Sequence, residues 1–183
     1  MTRLLILQHL EREGPGLFSK VAHQRGIPVF TFRLDLDDAF PQIEKKDLLL
    51  ILGGPMSLND INSPKYPWML KELEIIQEAL NKGIRVIGVC LGAQLLAKAA
   101  GGDVEPLIDS FSSKSLPEVG WSPISLTEDS NNNFFDSVFG TPLDVLHWHG
   151  DRILLPKSAR LIGSSQRRKE QFFQIGGFAY GIQ

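Results

Sequence analysis

Four short apolar runs punctuate the first half of the chain, and the stretches between them carry apolar side chains at helical spacing. Leu4 to Leu7 reads as a buried strand, followed by a polar loop through Glu11 to Gly16 and a helical segment from Leu17 to about Arg25. Gly26 ends that helix and Pro28 opens a second strand over Val29 to Phe32. Asp47 to Leu52 is apolar after its aspartate, the pattern of a central parallel strand covered on both faces. Beyond a loop over Asn59 to Tyr66, Pro67 and Trp68 begin a long amphipathic helix. It carries Leu70, Leu73, Ile75, Ile76 and Leu80 on or near one face and closes at Lys82-Gly83. Val86, Ile87 and Val89 make the fourth strand, and after Cys90 the positions Leu91, Leu95, Leu96 and Ala99 recur at helical spacing until Gly101 and Gly102. This alternation predicts an α/β fold, a doubly wound and mostly parallel sheet with helices on both faces and ligands at the carboxyl ends of its strands.

After Gly102 the pattern changes to an extended, β-rich half. Strands are expected over Val104 to Leu107, Leu116 to Leu126, Val145 to Trp148, Arg160 to Ser164, Gln171 to Ile175 and Phe178 to Ile182. Asn131-Asn132-Asn133 reads as a polar turn, and Phe134, Phe135, Val138 and Phe139 as a short helix packed on the core. No internal repeat or long linker divides the chain, so residues 1–183 are expected to form a single domain.

A strand meets a helix at Cys90, with Gly88 and Gly92 two residues to either side. Missing side chains there let the backbone bend sharply and let other backbone come close. The pattern is that of a nucleophile elbow with sulfur in place of a serine hydroxyl. Free N–H groups in the first helical turn are expected to favour the thiolate. A lone cysteine after an apolar strand is more often a small buried hydrophobe, but the two glycines and Gln94 reverse that balance. Gly53-Gly54-Pro55, at the end of the third strand, is by itself an ordinary turn signal. The acidic stretch Asp35 to Asp38 has no histidine or fixed carboxylate spacing and reads as a solvated loop.

Charge narrows the classes of partner. Nineteen basic against 21 acidic residues among 183 leave a formal charge of −2 with no long basic run, so no nucleic-acid footprint is present. A single cysteine forms no internal disulfide, and M-T-R-L-L-I-L-Q is too short an apolar run for a signal peptide or membrane span. A cytoplasmic location is expected.

The run G-V-C-L-G-A-Q around Cys90 resembles the signature of the class I glutamine amidotransferases. Gly53-Gly54-Pro55 resembles that family's oxyanion loop. Glu118-Val119-Gly120-Trp121 and His147-Trp148-His149-Gly150-Asp151 look like segments of its freestanding members similar to the GMP synthase glutaminase, and Ser164-Ser165-Gln166 also matches a recurring segment. The resemblance implies a flavodoxin-like fold and a Cys90 nucleophile that attacks the glutamine side-chain amide and releases ammonia. It also implies oxyanion donors at the N–H of Gly54 and Leu91, and substrate contacts from Gln94, His149, Gly150 and Asp151. His147 and His149 share a strand face and could hold a metal, but no third ligand is visible nearby in sequence, so no metal or cofactor is expected. The implied small molecule is glutamine or another γ-glutamyl compound, with an ammonia-accepting synthase unidentified and no membrane partner.

In this family the base and its carboxylate follow the final strand as His-x-Glu. Here the strand-like run Phe178 to Gln183 is the end of the sequence, and the reading is of a shortened chain lacking that segment and the closing helix, with its competence open. His9 and His23 lie in the first β-α unit, and His149 is the best remaining candidate base. Two alternatives stand beside the enzyme: a catalytically silent γ-glutamyl-binding protein, and a cysteine-elbow stress protein similar to the DJ-1 family.

Overall fold

The computed structural model describes residues 1–109, 111–127 and 142–183. The expected polar turn at Asn131 to Asn133 and the short helix after it lie outside the described residues.

The first half folds as the alternation predicts. Strands β1 (Leu4–Gln8), β2 (Val29–Arg33), β3 (Leu48–Ile51) and β4 (Arg85–Val89) lie parallel, in the order β2-β1-β3-β4. They are joined by helices α1 (Leu17–Gln24) and α2 (Trp68–Asn81), and β4 leads into α3 (Leu91–Ala99). Neighbouring side chains of β1 and β3 enter opposite layers. Leu5, Leu7, Leu49 and Ile51 pack toward α2 and α3, whereas Leu4, Ile6 and Leu50 pack with Ala22 of α1. Helices therefore cover both faces, which is why these strands are apolar throughout.

The buried stripe of α2 is Met69, Glu72, Ile75, Ile76 and Ala79, and Leu70, expected on or near the apolar face, is about half exposed. The stripe is rotated relative to the hydrophobic reading because a charged residue, Glu72, occupies an interior position.

The extended half continues the same sheet with antiparallel pairing. Its strands are β5 (Asp103–Pro106), β6 (Glu118–Leu126), β7 (Leu143–His149), β8 (Asp151–Leu154), β9 (Ala159–Ser165), β10 (Phe172–Ile175) and β11 (Ala179–Ile182). Beyond β4 the order is β11-β10-β9-β6-β7, giving a nine-stranded mixed sheet, while β5 and β8 form a separate pair. Strand β8 was not expected from sequence, because it follows His149-Gly150 almost without interruption. The last strand, β11, returns to lie parallel beside β4, with Ile182 opposite Val89. The expected α/β architecture with helices on both faces is thus present. Among the described residues no helix is long and apolar enough to cross a membrane.

Candidate active site

Cys90 occupies the strand-to-helix turn at φ 51° and ψ −109°, a conformation costly for a residue with a side chain. It is held there by the bonds on either side of it. Its N–H donates to the Ile182 carbonyl at 2.7 Å, and its carbonyl accepts from the Gln94 N–H at 3.0 Å. The flanking glycines are steric requirements. A Cβ on Gly88 would lie 2.3 Å from the Gly92 carbonyl oxygen, and one on Gly92 would lie 2.2 Å from that of Ile51. Helix α3 can therefore press onto β3 and β4 only as the sequence spaces these glycines.

The thiol opens onto a cavity of about 1170 Å³ at the carboxyl ends of the parallel strands. Gly54, Gln94, His149, Gly150 and Asp151 line it together with Cys90, so residues distant in sequence converge on one cavity. Leu91 is buried directly behind, and its N–H is directed at the sulfur. Gln94 is almost fully buried; its Nε2 donates to Gln183 Oε1 at 3.4 Å, and its own Oε1 has no hydrogen-bond partner among the described residues. Ser57 donates to Asp151 Oδ2 at 3.1 Å, tying the Gly53-Gly54-Pro55 loop to the opposite wall.

That loop is fixed from behind by a pair of groups that the sequence did not single out together. His9 donates from Nδ1 to the Gly53 carbonyl and from Nε2 to Glu72, both at 2.9 Å, and neither side chain is exposed. Trp68 stacks on the imidazole at 5.0 Å. Burial opposes a charge on His9, but Glu72 and the Gly53 carbonyl outweigh it and hold the imidazole above its ordinary range. In a planar trans peptide the C=O of Gly53 and the N–H of Gly54 point in opposite directions. By holding the carbonyl, His9 turns the Gly54 N–H away from itself.

The expected thiolate activation is not what the site produces. Burial pushes the Cys90 thiol above its ordinary value, the Leu91 N–H opposes that rise, and the carboxylates of Glu13 and Asp151 add to it. One helix-terminal N–H is outweighed by desolvation and like charge. Glu13, on the cavity rim, is a contributor that periodicity could not reveal.

Besides the Leu91 N–H, Sγ meets the Trp148 carbonyl and Gln183 Nε2, each at 4.0 Å. His149, the candidate base, turns its ring elsewhere: Nδ1 donates to the Asp151 carbonyl at 2.8 Å and Nε2 faces Glu118 at 3.2 Å. Strand β11 delivers Gln183 to the thiol, as the expected path of the final strand requires.

Fold and site together define an α/β protein with a cysteine elbow facing a glycine-rich loop. The family model described as glutamine amidotransferase class-I matches residues 19–183. A putative glutamine amidotransferase-like protein, YfeJ, of Salmonella typhimurium is 32% identical over 183 positions, covering 99% of this chain and 74% of that protein. A glutamine-hydrolyzing GMP synthase of Tolumonas auensis is 33% identical over 113 positions, 59% of this chain but only 18% of the relative. The crystal structure of a glutamine amidotransferase from Thermotoga maritima superposes with a TM-score of 0.86 at 30% identity, over 100% of this chain and 74% of that one. The chain belongs to the class I glutamine amidotransferase family.

Proposed function

We propose that this chain is a single glutaminase-like domain that cleaves the side-chain amide of glutamine, or another γ-glutamyl bond, through a Cys90 thioester. The observation that carries this reading is the strained Cys90 elbow set against the Gly53-Gly54 peptide that His9 locks. The thiolate attacks the amide carbon, and the oxyanion that forms accepts hydrogen bonds from the N–H groups of Gly54 and Leu91. Collapse breaks the C–N bond and releases ammonia with a proton, and water then hydrolyses the thioester to a carboxylate and regenerates the thiol. Gln94, Gly150 and Asp151 hold the substrate, with His149 supporting the wall.

Because the thiol is held above its ordinary value, turnover depends on a base that takes its proton. The family resemblance puts that base immediately beyond the final strand, and Gln183, the residue after β11, lies with its side chain 4.0 Å from Sγ. An ammonia-accepting synthase is the partner that such chemistry serves. The test is labelling by an electrophilic glutamine analogue. Cys90 is expected to be the labelled residue, and labelling that survives Cys90→Ser removes the assignment.

A further inference from the structure

We propose that Glu118, His147 and His149 form a binding site for a divalent transition-metal ion of the zinc type, built into the antiparallel β6-β7 pair behind the cavity wall. His147 and His149 occupy alternate positions of β7 and share its inward face, and Glu118 of β6 lies directly opposite His149 in the antiparallel register. The three side chains are 1%, 5% and 4% exposed in the order His147, His149, Glu118. One donor atom from each lies within 4.8 Å of the other two.

The hydrogen bonds settle what those atoms are. Nε2 of His147 donates to the Ser122 carbonyl at 3.2 Å, and Nδ1 of His149 donates to the Asp151 carbonyl at 2.8 Å. A carbonyl oxygen only accepts, so each ring carries its proton on that side. The other ring nitrogens, Nδ1 of His147 and Nε2 of His149, face the Glu118 carboxylate at 4.0 and 3.2 Å. Both are buried and have no hydrogen-bond partner among the described residues. Two buried ring nitrogens without a hydrogen-bond partner among the described residues therefore converge on one carboxylate, and a cation among them would satisfy all three.

The surroundings match those of a ligand set. Backbone carbonyls fix both imidazole tautomers, and Glu118 is held by Ser165 Oγ at 2.9 Å and Gln171 Nε2 at 2.8 Å. Two imidazole nitrogens and one carboxylate oxygen are a donor set that zinc accepts, with a fourth position for water. Bonds of about 2.1 Å in tetrahedral geometry place donors about 3.4 Å apart; His149 Nε2 already lies 3.2 Å from Glu118 Oε2, and a donor set within 4.8 Å closes onto an ion by side-chain shifts of about an ångström. An ion here would brace β6 against β7 just where Trp148, Gly150 and Asp151 enter the cavity. The inference is independent of any turnover at Cys90.

The test is cobalt(II) and zinc(II) titration of the chelator-treated full chain. One equivalent of cobalt is expected to give the visible absorption of a four-coordinate nitrogen and oxygen site, and zinc is expected to displace it. Zinc at 100 times its Kd should raise the thermal midpoint by roughly 5 to 10 °C. Glu118→Gln and His147→Gln should lose the cobalt spectrum, Gln171→Leu should weaken binding about 10- to 100-fold, and Cys90→Ser should retain it. Should the ligand variants not fold, nitrogen NMR of the unmutated chain decides: zinc must shift Nδ1 of His147 and Nε2 of His149. A folded chain that binds neither ion at millimolar concentration, or a cobalt spectrum that disappears with Cys90→Ser, overturns the proposal.

Discussion

In the parallel half of the sheet the buried charges meet opposite charges supplied by the chain, whereas in the antiparallel β6-β7 pair the buried polar atoms face one another. Asp47 is clasped by Arg3 through Nε at 2.9 Å and Nη2 at 2.6 Å, and His9 pairs with Glu72 at 2.9 Å. In that strand pair, Glu118, His147 and His149 take interior positions while Val119, Trp121, Leu146 and Trp148 stand half or more exposed. At this end of the two strands the large apolar side chains are outside and the titratable ones inside, whereas the inward positions of β1 and β3 are almost all apolar. A buried polar group can be balanced by a partner from the same chain or by a cation from outside, and this molecule shows the first arrangement and the geometry of the second.

The largest effect that separates the halves is expected at His9. Replacing it as His9→Gln leaves Glu72 buried without its partner, and breaking such a pair costs about 3 to 5 kcal/mol. The pH dependence has a definite sign. His9 is held above its ordinary value of 6.5 in the folded chain, so its contribution is complete below that value and is lost as pH rises through the raised one. Denaturant unfolding across neutral and alkaline pH should show that decline in the unmutated chain and not in the variant.

Gly54→Val tests whether the locked loop acts in chemistry. A Cβ there already lies 3.0 Å from Leu91 Cδ2 and Met56 Sδ, and a misplaced oxyanion donor costs roughly 3 to 4 kcal/mol of transition-state stabilisation. Turnover should fall far more than labelling of the resting thiol, and equal losses would make the loop structural only.

A smaller effect sharpens the contrast in packing. Ile6→Val removes one methylene from a fully buried site and should cost about 0.5 to 1.5 kcal/mol. Trp121→Ala removes a whole indole that is 74% exposed and should cost no more than about 0.5 kcal/mol. Thermal midpoints of the two variants decide the comparison.

The smallest effect belongs to the cavity rim. Glu13 raises the Cys90 thiol, so Glu13→Gln should lower it and speed alkylation at neutral pH a few-fold. A rate profile that stays in place along the pH axis would remove Glu13 from the electrostatics of the site.

What the sequence determined by itself is local. The alternation of strand and helix, the elbow at Cys90 and the glycine pair before Pro55 are legible because each rests on backbone sterics within a few residues. The glycines at 88 and 92 could be read as close approaches without knowing that Ile51 and the α3 backbone are what approach. Only the tertiary structure decided the rest. His9 reaches Gly53 across 44 positions and Glu72 across 63, and no periodicity relates them. The i and i+2 spacing of His147 and His149 says that they share a face but not which face is inside, nor that Glu118 stands opposite. The position of the Cys90 thiol follows from burial and from carboxylates on two distant segments. A pKa sums the whole surroundings of a group, and those surroundings exist only once the chain has folded.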